Sequence, residues 1–415
     1  MFEVKSAAMK HSLCFILLGL SLLTRATLAQ TTSQSHLVQP GDTWTALAWH
    51  YGLDEAAHRA NQMNRQREPA IGMTISLPVT DVARMGQLVR VNEGGLLATA
   101  VRYQTSPWKL ALQNNHPHPY SPTFYRAIFI EGGQSPPRDL PIGLDTLELS
   151  QAPAHPGQAV GYRAQGDTVV STWLNLTLFD TLADGRNHIG LAGTGAFFGT
   201  AAPELAIQTG PQSPLWAQPW LFLDPNNWEY QQLTLTGEAA AIDAESIRLE
   251  RKRLFALWSE ATPDIQWTTS FQLPVTDYLE LSAAYGGRRS YNGGPYRTYH
   301  EGVDFAAYGG TPIYAPATGT VVLAERLFVR GGAVIIDHGL GVYSGFYHMS
   351  AVHAEVGQQV QPGDLLGEVG TTGLSTGNHL HWDLLVADTW VDAWAWWEQD
   401  MGCWLLAGLE RPCSP

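Results

Sequence analysis

Six residues near the C-terminal end, HLHWDL (379–384), leave little choice of local structure. Polar and apolar side chains alternate, and a β-strand sends alternate side chains to opposite faces. The run therefore reads as a strand with His379, His381 and Asp383 on one face and Leu380, Trp382 and Leu384 on the other. At a rise near 3.3 Å per residue, the two imidazoles share a surface about 7 Å apart. Neutral imidazole is the commonest metal ligand, and a rigid strand suits a site that must hold its geometry. An H-x-H pair alone also fits two surface histidines.

The rest of the 415-residue chain is too long for one core and suits several domains. It is 45% hydrophobic and 15% charged, with 41 Gly and 25 Pro, which fits a loop-rich, mostly β, multidomain protein. Residues 1–29 read as a secretion signal. Lys5 and Lys10 precede the apolar run SLCFILLGLSLL (12–23), and TLAQ offers a cut after Ala29. The apolar run is shorter than the roughly 20 residues that span a bilayer, and no other segment could cross a membrane. Removing the signal takes away Lys5, Lys10, Arg25 and Glu3, so the net charge moves from −14 to −16. Nucleic acid is excluded as a partner, because its binding depends on neutralising phosphates. The expected location is secreted, or periplasmic and cell-wall associated. Cys403 and Cys413 remain after the cut, and in an oxidising compartment they either close a small loop or stay as thiols in a C-terminal tail, 399–415.

Residues 35–80 read as strand, helix, helix, strand. His36–Val38 leads into a Pro-Gly turn, Asp42 and Thr43 can cap a helix carrying Trp44, Leu47 and Ala48, a second helix follows Asp54, and GMTISLP closes the unit. This unit resembles a LysM module in its V-x-x-G-D-T, A-x-x-Y-G and G-x-x-I-x-L-P stretches and in Asn61. The resemblance implies binding to N-acetylglucosamine-containing glycans such as peptidoglycan, with Gly41, Asp42, Thr43 and Asn61 as glycan-binding candidates. Residues 88–150 read as a degenerate LysM-like region, since LLATAVRYQTSPWKLALQNN repeats the helical pattern without the Gly-Asp-Thr turn. Alternating runs over 151–240 predict a β-sandwich-like domain. Residues 241–268 predict an amphipathic helix and linker, with Ile247, Leu254, Leu257 and Trp258 on one face and Glu250 and Arg251 interrupting the stripe.

The last domain, 269–398, carries the chemistry. His300 and Asp304 stand four apart in HEGVD, and His348 ends the aromatic run VYSGFYH. Imidazole nitrogens with an aspartate oxygen suit Zn²⁺, and a three-ligand set leaves a fourth tetrahedral position open, the arrangement of catalytic rather than structural zinc. The stretches GRRSYN, HEGVDFA, GTPIYAPATGTVV, VIIDHGLGVYSGFYHMS, VGQQVQPGDLLGEVGTTGLSTG and HLHWDL are similar to the lysostaphin/LytM-type zinc metallopeptidases, an all-β family. The resemblance implies one Zn²⁺ per chain held by His300, Asp304 and His381, with His348 and His379 as unligated catalytic histidines. Asn378 stands where proline is usual, and WVDAWAWW replaces the commoner V-D-P ending. Arg288 and Arg289 are candidates for gripping a substrate carboxylate, Tyr296 and Tyr299 for donating to an oxyanion. Asp337 and His338 read as a strand-end turn. The implied activity is hydrolysis of stem or cross-bridge peptides of peptidoglycan by a wall-anchored zinc endopeptidase. The alternative is a non-catalytic wall-binding protein that activates a partner hydrolase.

Overall fold

β-Strands dominate the fold, and HLHWDL begins one of its central strands. The computed structural model describes residues 33–53, 67–78, 84–91, 94–123, 126–132, 135–167, 171–175, 177–199, 202–224, 228–258 and 262–414. The signal segment, the helix expected after Asp54 and Asn61 lie outside the described residues. Among the described residues no helix is long and apolar enough to cross a membrane.

Two small α/β units come first. In the first, β1 (Ser33–Leu37) pairs antiparallel with β2 (Thr74–Pro78) beside α1 (Trp44–Tyr51). Thr43 caps α1 by accepting a hydrogen bond from the Ala46 amide, and Gly52 ends it in the left-handed conformation. The second unit runs β3 (Gly86–Arg90), α2 (Gly95–Arg102), α3 (Pro107–Gln113) and β4 (Ala127–Glu131), with β3 antiparallel to β4. Its strand–helix–helix–strand order occupies 86–131, narrower than the 88–150 read from sequence at its far end. The indole of Trp49 stacks on Phe129 with ring centroids 4.8 Å apart and joins the two units.

A two-sheet sandwich follows. One sheet has the order β5 (Leu144–Leu149), β6 (Ala159–Gly166), β10 (Asn187–Gly193), β9 (Asp180–Asp184). The other runs β12 (Trp216–Pro219), β11 (Glu204–Gln208), β7 (Ser171–Leu174), β8 (Thr177–Leu178). Val160, Tyr162, Leu174, Leu205, Ile207, Trp216 and Trp220 fill the space between them. The sandwich starts at Leu144, earlier than the expected 151, because β5 supplies an edge strand.

β13 (Tyr230–Leu233) and α4 (Ala244–Trp258) then lead into the last domain. Its main sheet has the order β14 (Glu280–Ala283), β17 (Gly302–Ala306), β25 (His379–Val386), β21 (Val342–Met349), β20 (Gly331–Gly339), β19 (Gly319–Leu327), β23 (Gln359–Val360), with β26 (Thr389–Val391) also on β25. A smaller sheet comprises β18 (Pro312–Tyr314), β24 (Leu365–Glu368) and β22 (Ala351–Val352). β13 joins β15 (Arg288–Tyr291) in a parallel pair, with β16 (Thr298–Tyr299) on the other side. A near-continuous apolar core underlies this domain.

Two sequence expectations need correction. The interrupted stripe of α4 is buried after all: Glu250 is interior along with Leu254 and Trp258, while Ile247 and Leu257 are half-buried. Glu250 is tolerated there because the amides of Val329 and Arg330 donate to its carboxylate at 2.7 and 3.1 Å and the Arg330 guanidinium lies 3.3 Å away. The C-terminal stretch is also no loose tail. After α5 (Ala393–Glu398), α6 (Met401–Gly408) buries Met401, Leu405 and Leu406 in the same core as Ile189 and Leu191 of the sandwich. Cys403 and Cys413 are joined by a disulfide.

Candidate metal centre and its groove

The register of three neighbouring strands assembles the site. On β17, Asp304 lies opposite His381 of β25, and on β21 Tyr347 lies opposite that same His381. His348 therefore follows immediately beside the pair, and His379 comes two residues before His381 on the same face. His300 precedes β17 and reaches the cluster from the loop. His300 Nε2, His381 Nδ1 and Asp304 Oδ1 converge to mutual distances of 2.8–2.9 Å. Among the described residues this is the one group of His, Cys, Asp or Glu with the spacing of a metal site. Gly302 is required at its position, since a Cβ there would meet His381 Nε2 at 2.7 Å and the Trp382 carbonyl at 2.3 Å.

Backbone carbonyls fix which nitrogen three of the four imidazoles present. His300 Nδ1 donates to Ala284 O at 2.9 Å, His348 Nδ1 to Thr372 O at 2.8 Å, and His379 Nδ1 to Gly377 O at 2.8 Å. Each bond turns Nε2 into the working atom, as outer-shell partners of metal sites do. His348 also holds a left-handed backbone conformation, φ 65°, a strained state for a non-glycine residue that clusters at functional sites. The rings of His348 and His379 are 4.7 Å apart, and His348 is 6.1 Å from His381.

The charge state follows from burial and neighbours. Burial pushes the imidazoles of His300 and His381 down, against the pull of Asp304. Burial also holds His348 well below the ordinary histidine range, and the nearby His379 and His381 add to that. Burial alone would raise the Asp304 carboxyl, but His300 and His381 outweigh it and hold it well below the usual carboxylate range. The site thus offers neutral imidazoles and one ionised carboxylate. Three lone pairs crowd one point, and that donor set fits Zn²⁺ with a position left open.

The cluster sits in a groove of about 810 Å³. One side is the main sheet of the last domain, with Tyr347, His348, His379 and His381. The other comes from before it: Gln231 and Leu233 of β13, Ile242 in the connection that follows, and Ile247 and Arg251 of α4. Arg251 ion-pairs with Glu301, the neighbour of His300, and lies over the Trp390 ring at 4.9 Å.

The remaining sequence candidates separate. Arg289 lines the groove, and its Nη2 lies 3.2 Å from Asp304 Oδ2. Tyr299 lines it too, packed on Phe197 and Tyr285. Arg288 is spent elsewhere: it donates to Gly286 O and Ala196 O and lies over the rings of Phe197 and Trp228, fastening this domain to the sandwich. Tyr296 is exposed against Tyr230. Gly41, Asp42 and Thr43 are buried. Thr43 alone caps α1, whereas Asp42 accepts from His36 Nε2 and the Gln39 amide, so all three form a turn interior rather than an open glycan surface. Asp337 and His338 are interior, bonded to Thr262, Thr318 and Ser344. Sequence reasoning missed Gln231, Glu250, Arg251, Glu301 and Arg330. Of these only Glu301 stands beside a recognisable motif.

Comparison with known proteins agrees with this architecture. Residues 298–393 match Peptidase family M23, and residues 36–78 match the LysM domain. The peptidoglycan DD-endopeptidase ShyA of Vibrio cholerae is 34% identical over 120 residues, 29% of this chain and 28% of that protein. The DD-carboxypeptidase/endopeptidase Mpg of Neisseria meningitidis serogroup B is 36% identical over 119 residues, 29% of this chain and 27% of that protein. The matches thus span little more than a quarter of the length of these relatives. Among solved structures, an M23 peptidase from Pseudomonas aeruginosa is 26% identical with a TM-score of 0.43, covering 58% of this chain and 92% of that one. Lysostaphin from Staphylococcus simulans is 27% identical with a TM-score of 0.28, covering 32% and 54%.

Proposed function

From the peptidase M23 domain and LysM domain that this chain carries, we propose that it is an exported zinc endopeptidase that cuts cross-link peptides of peptidoglycan, held on the wall by its LysM domain. The observation that carries the reading is the convergence of His300 Nε2, His381 Nδ1 and Asp304 Oδ1 beside His348 and His379 in one groove. Relatives named as DD-endopeptidases support a bond between D-amino acids as the target. Tethering by the LysM domain raises the local concentration of substrate, so modest glycan affinity suffices.

Zinc bound by the three side chains would supply a Lewis acid for the scissile carbonyl and acidify water in the groove. The chain's own residues do the rest. His348, kept neutral by burial and with Nδ1 committed to Thr372 O, accepts a proton at Nε2. His379, with Nδ1 committed to Gly377 O, faces the same space, and in its imidazolium form it donates from Nε2 to the oxyanion and gives that proton to the leaving amine, while the proton taken by His348 returns to solvent. Arg289 holds the second oxygen of Asp304 from 3.2 Å and orients the carboxylate.

The test is digestion of purified peptidoglycan by the chain lacking residues 1–29, with and without a zinc chelator, beside His381→Ala. Muropeptide masses and new amines are the readout. Chelator-sensitive cleavage that the variant lacks is expected. A protein that sediments with the wall yet releases nothing under any condition would sink the enzyme reading and favour the activator one.

A further inference from the structure

The metal centre has a support that originates outside the catalytic sheet. In the parallel pair of β13 and β15, Gln231 stands in register with Arg289. Arg289 Nε donates to Gln231 Oε1 at 3.2 Å, and Arg289 Nη2 lies 3.2 Å from Asp304 Oδ2, the oxygen that does not face the histidines. The Gln231 amide nitrogen donates to Glu229 Oε2 at 3.0 Å, which turns the amide so that its carbonyl points at Arg289. A directed chain therefore runs from Glu229 through Gln231 and Arg289 to Asp304. The first two members belong to the segment that leaves the sandwich, ahead of the residues matched to the peptidase family.

The geometry points to Gln231 as a positioning residue for the metal: it holds the Arg289 fork, and Arg289 holds the Asp304 carboxylate in the rotamer that presents Oδ1. This rests on the zinc reading above. Arginine is suited to the task because its planar fork can bind two acceptors at once. Partners that orient ligating carboxylates typically change metal affinity 10- to 100-fold when removed. The sandwich-derived strand is thus part of the metal centre, and the catalytic sheet alone is an incomplete site.

The experiment is zinc affinity of the chain lacking residues 1–29, measured by competition with a chromogenic chelator. Gln231→Leu removes the acceptor at similar size and is expected to weaken zinc binding about tenfold, the lower end for an outer partner. Gln231→Glu keeps an acceptor and is expected to retain most of the affinity. Arg289→Lys removes the fork and should cost at least as much. The double variant Gln231→Leu/Arg289→Lys should lose no more than Arg289→Lys alone, because both act along one route. The melting temperature of the metal-free proteins separates positioning from misfolding, and Arg289→Lys keeps the test open should Gln231→Leu not fold. Gln231→Leu binding zinc as tightly as the parent would overturn the inference while leaving the zinc reading intact. A parent chain that binds no zinc would overturn both.

Discussion

Replacing Glu250 with alanine should destabilise the protein severely, although sequence patterning marks this residue only as a charged interruption of a helix face. The carboxylate is buried and receives three donors: the Val329 amide at 2.7 Å, the Arg330 amide at 3.1 Å and Arg330 Nη1 at 3.3 Å. Removing it leaves two buried amides and a buried guanidinium short of partners. Arg330 keeps a 3.5 Å contact with Glu301 and lies over the Tyr347 ring at 5.1 Å, which softens the loss. Breaking a buried pair from one side costs about 3–5 kcal/mol. If α4 and the catalytic sheet melt as one unit, that is a drop of roughly 6–20 °C in Tm. Glu250→Gln keeps one acceptor oxygen and should cost about 1–3 kcal/mol. Urea unfolding of parent, Glu250→Gln and Glu250→Ala, followed by tryptophan fluorescence, gives the comparison. Because Val329, Arg330 and Arg251 all border the groove, turnover should fall with stability. A Glu250→Ala variant less than about 1 kcal/mol below the parent would refute the reasoning, since surface substitutions stay within that range.

Other outcomes follow from the same geometry. His381→Ala should lose zinc and cleavage together, whereas His348→Ala should retain zinc by chelator competition and lose about 10²–10⁴-fold in kcat. Stability should carry a pH dependence from His338, whose burial lowers its pKa from 6.5 to about 4. Below pH 6.5 the unfolded chain takes a proton that the folded core refuses, so stability falls as pH drops through that window and is fully present above it. Between pH 7.5 and 4.5 the parent should lose about 2–3 kcal/mol more than His338→Gln, read from urea unfolding at the two pH values. Cys413→Ser opens a loop of 10 residues' separation and should cost about 2–3 kcal/mol on the loop-entropy scale, measured by thermal melts under matched conditions.

What could be read in advance depended on whether the information was local. Alternation in HLHWDL and the four-residue step from His300 to Asp304 are local patterns, and β25 carries the first while β17 carries Asp304 with His300 in the loop just before it. The helix at 44–51 was legible because its cap and its αL terminator lie in sequence with it. The burial of Glu250 was not legible because its partners are 79 and 80 residues away, and no periodicity reports them. Gln231 was invisible for a similar reason, since YQQL carries no pattern and its role depends on a parallel pairing with β15. Arg288 and Arg289 are adjacent and chemically alike. Strand alternation sends one to the sandwich and the other to the metal centre, a choice fixed by register alone.

The final helix has a consequence for how the molecule is made. α6 packs on β6 and β10 of the sandwich while its apolar residues join the core of the catalytic domain, and Ser414 closes a bridge to Thr269. These residues follow the catalytic sheet in the chain, so they are made and exported after it. Earlier domains can fold as they emerge, but the seam between sandwich and catalytic sheet lacks its wedge until α6 has emerged. Locking of the sandwich onto the catalytic sheet is therefore a late step, set by a helix that comes after both in the chain.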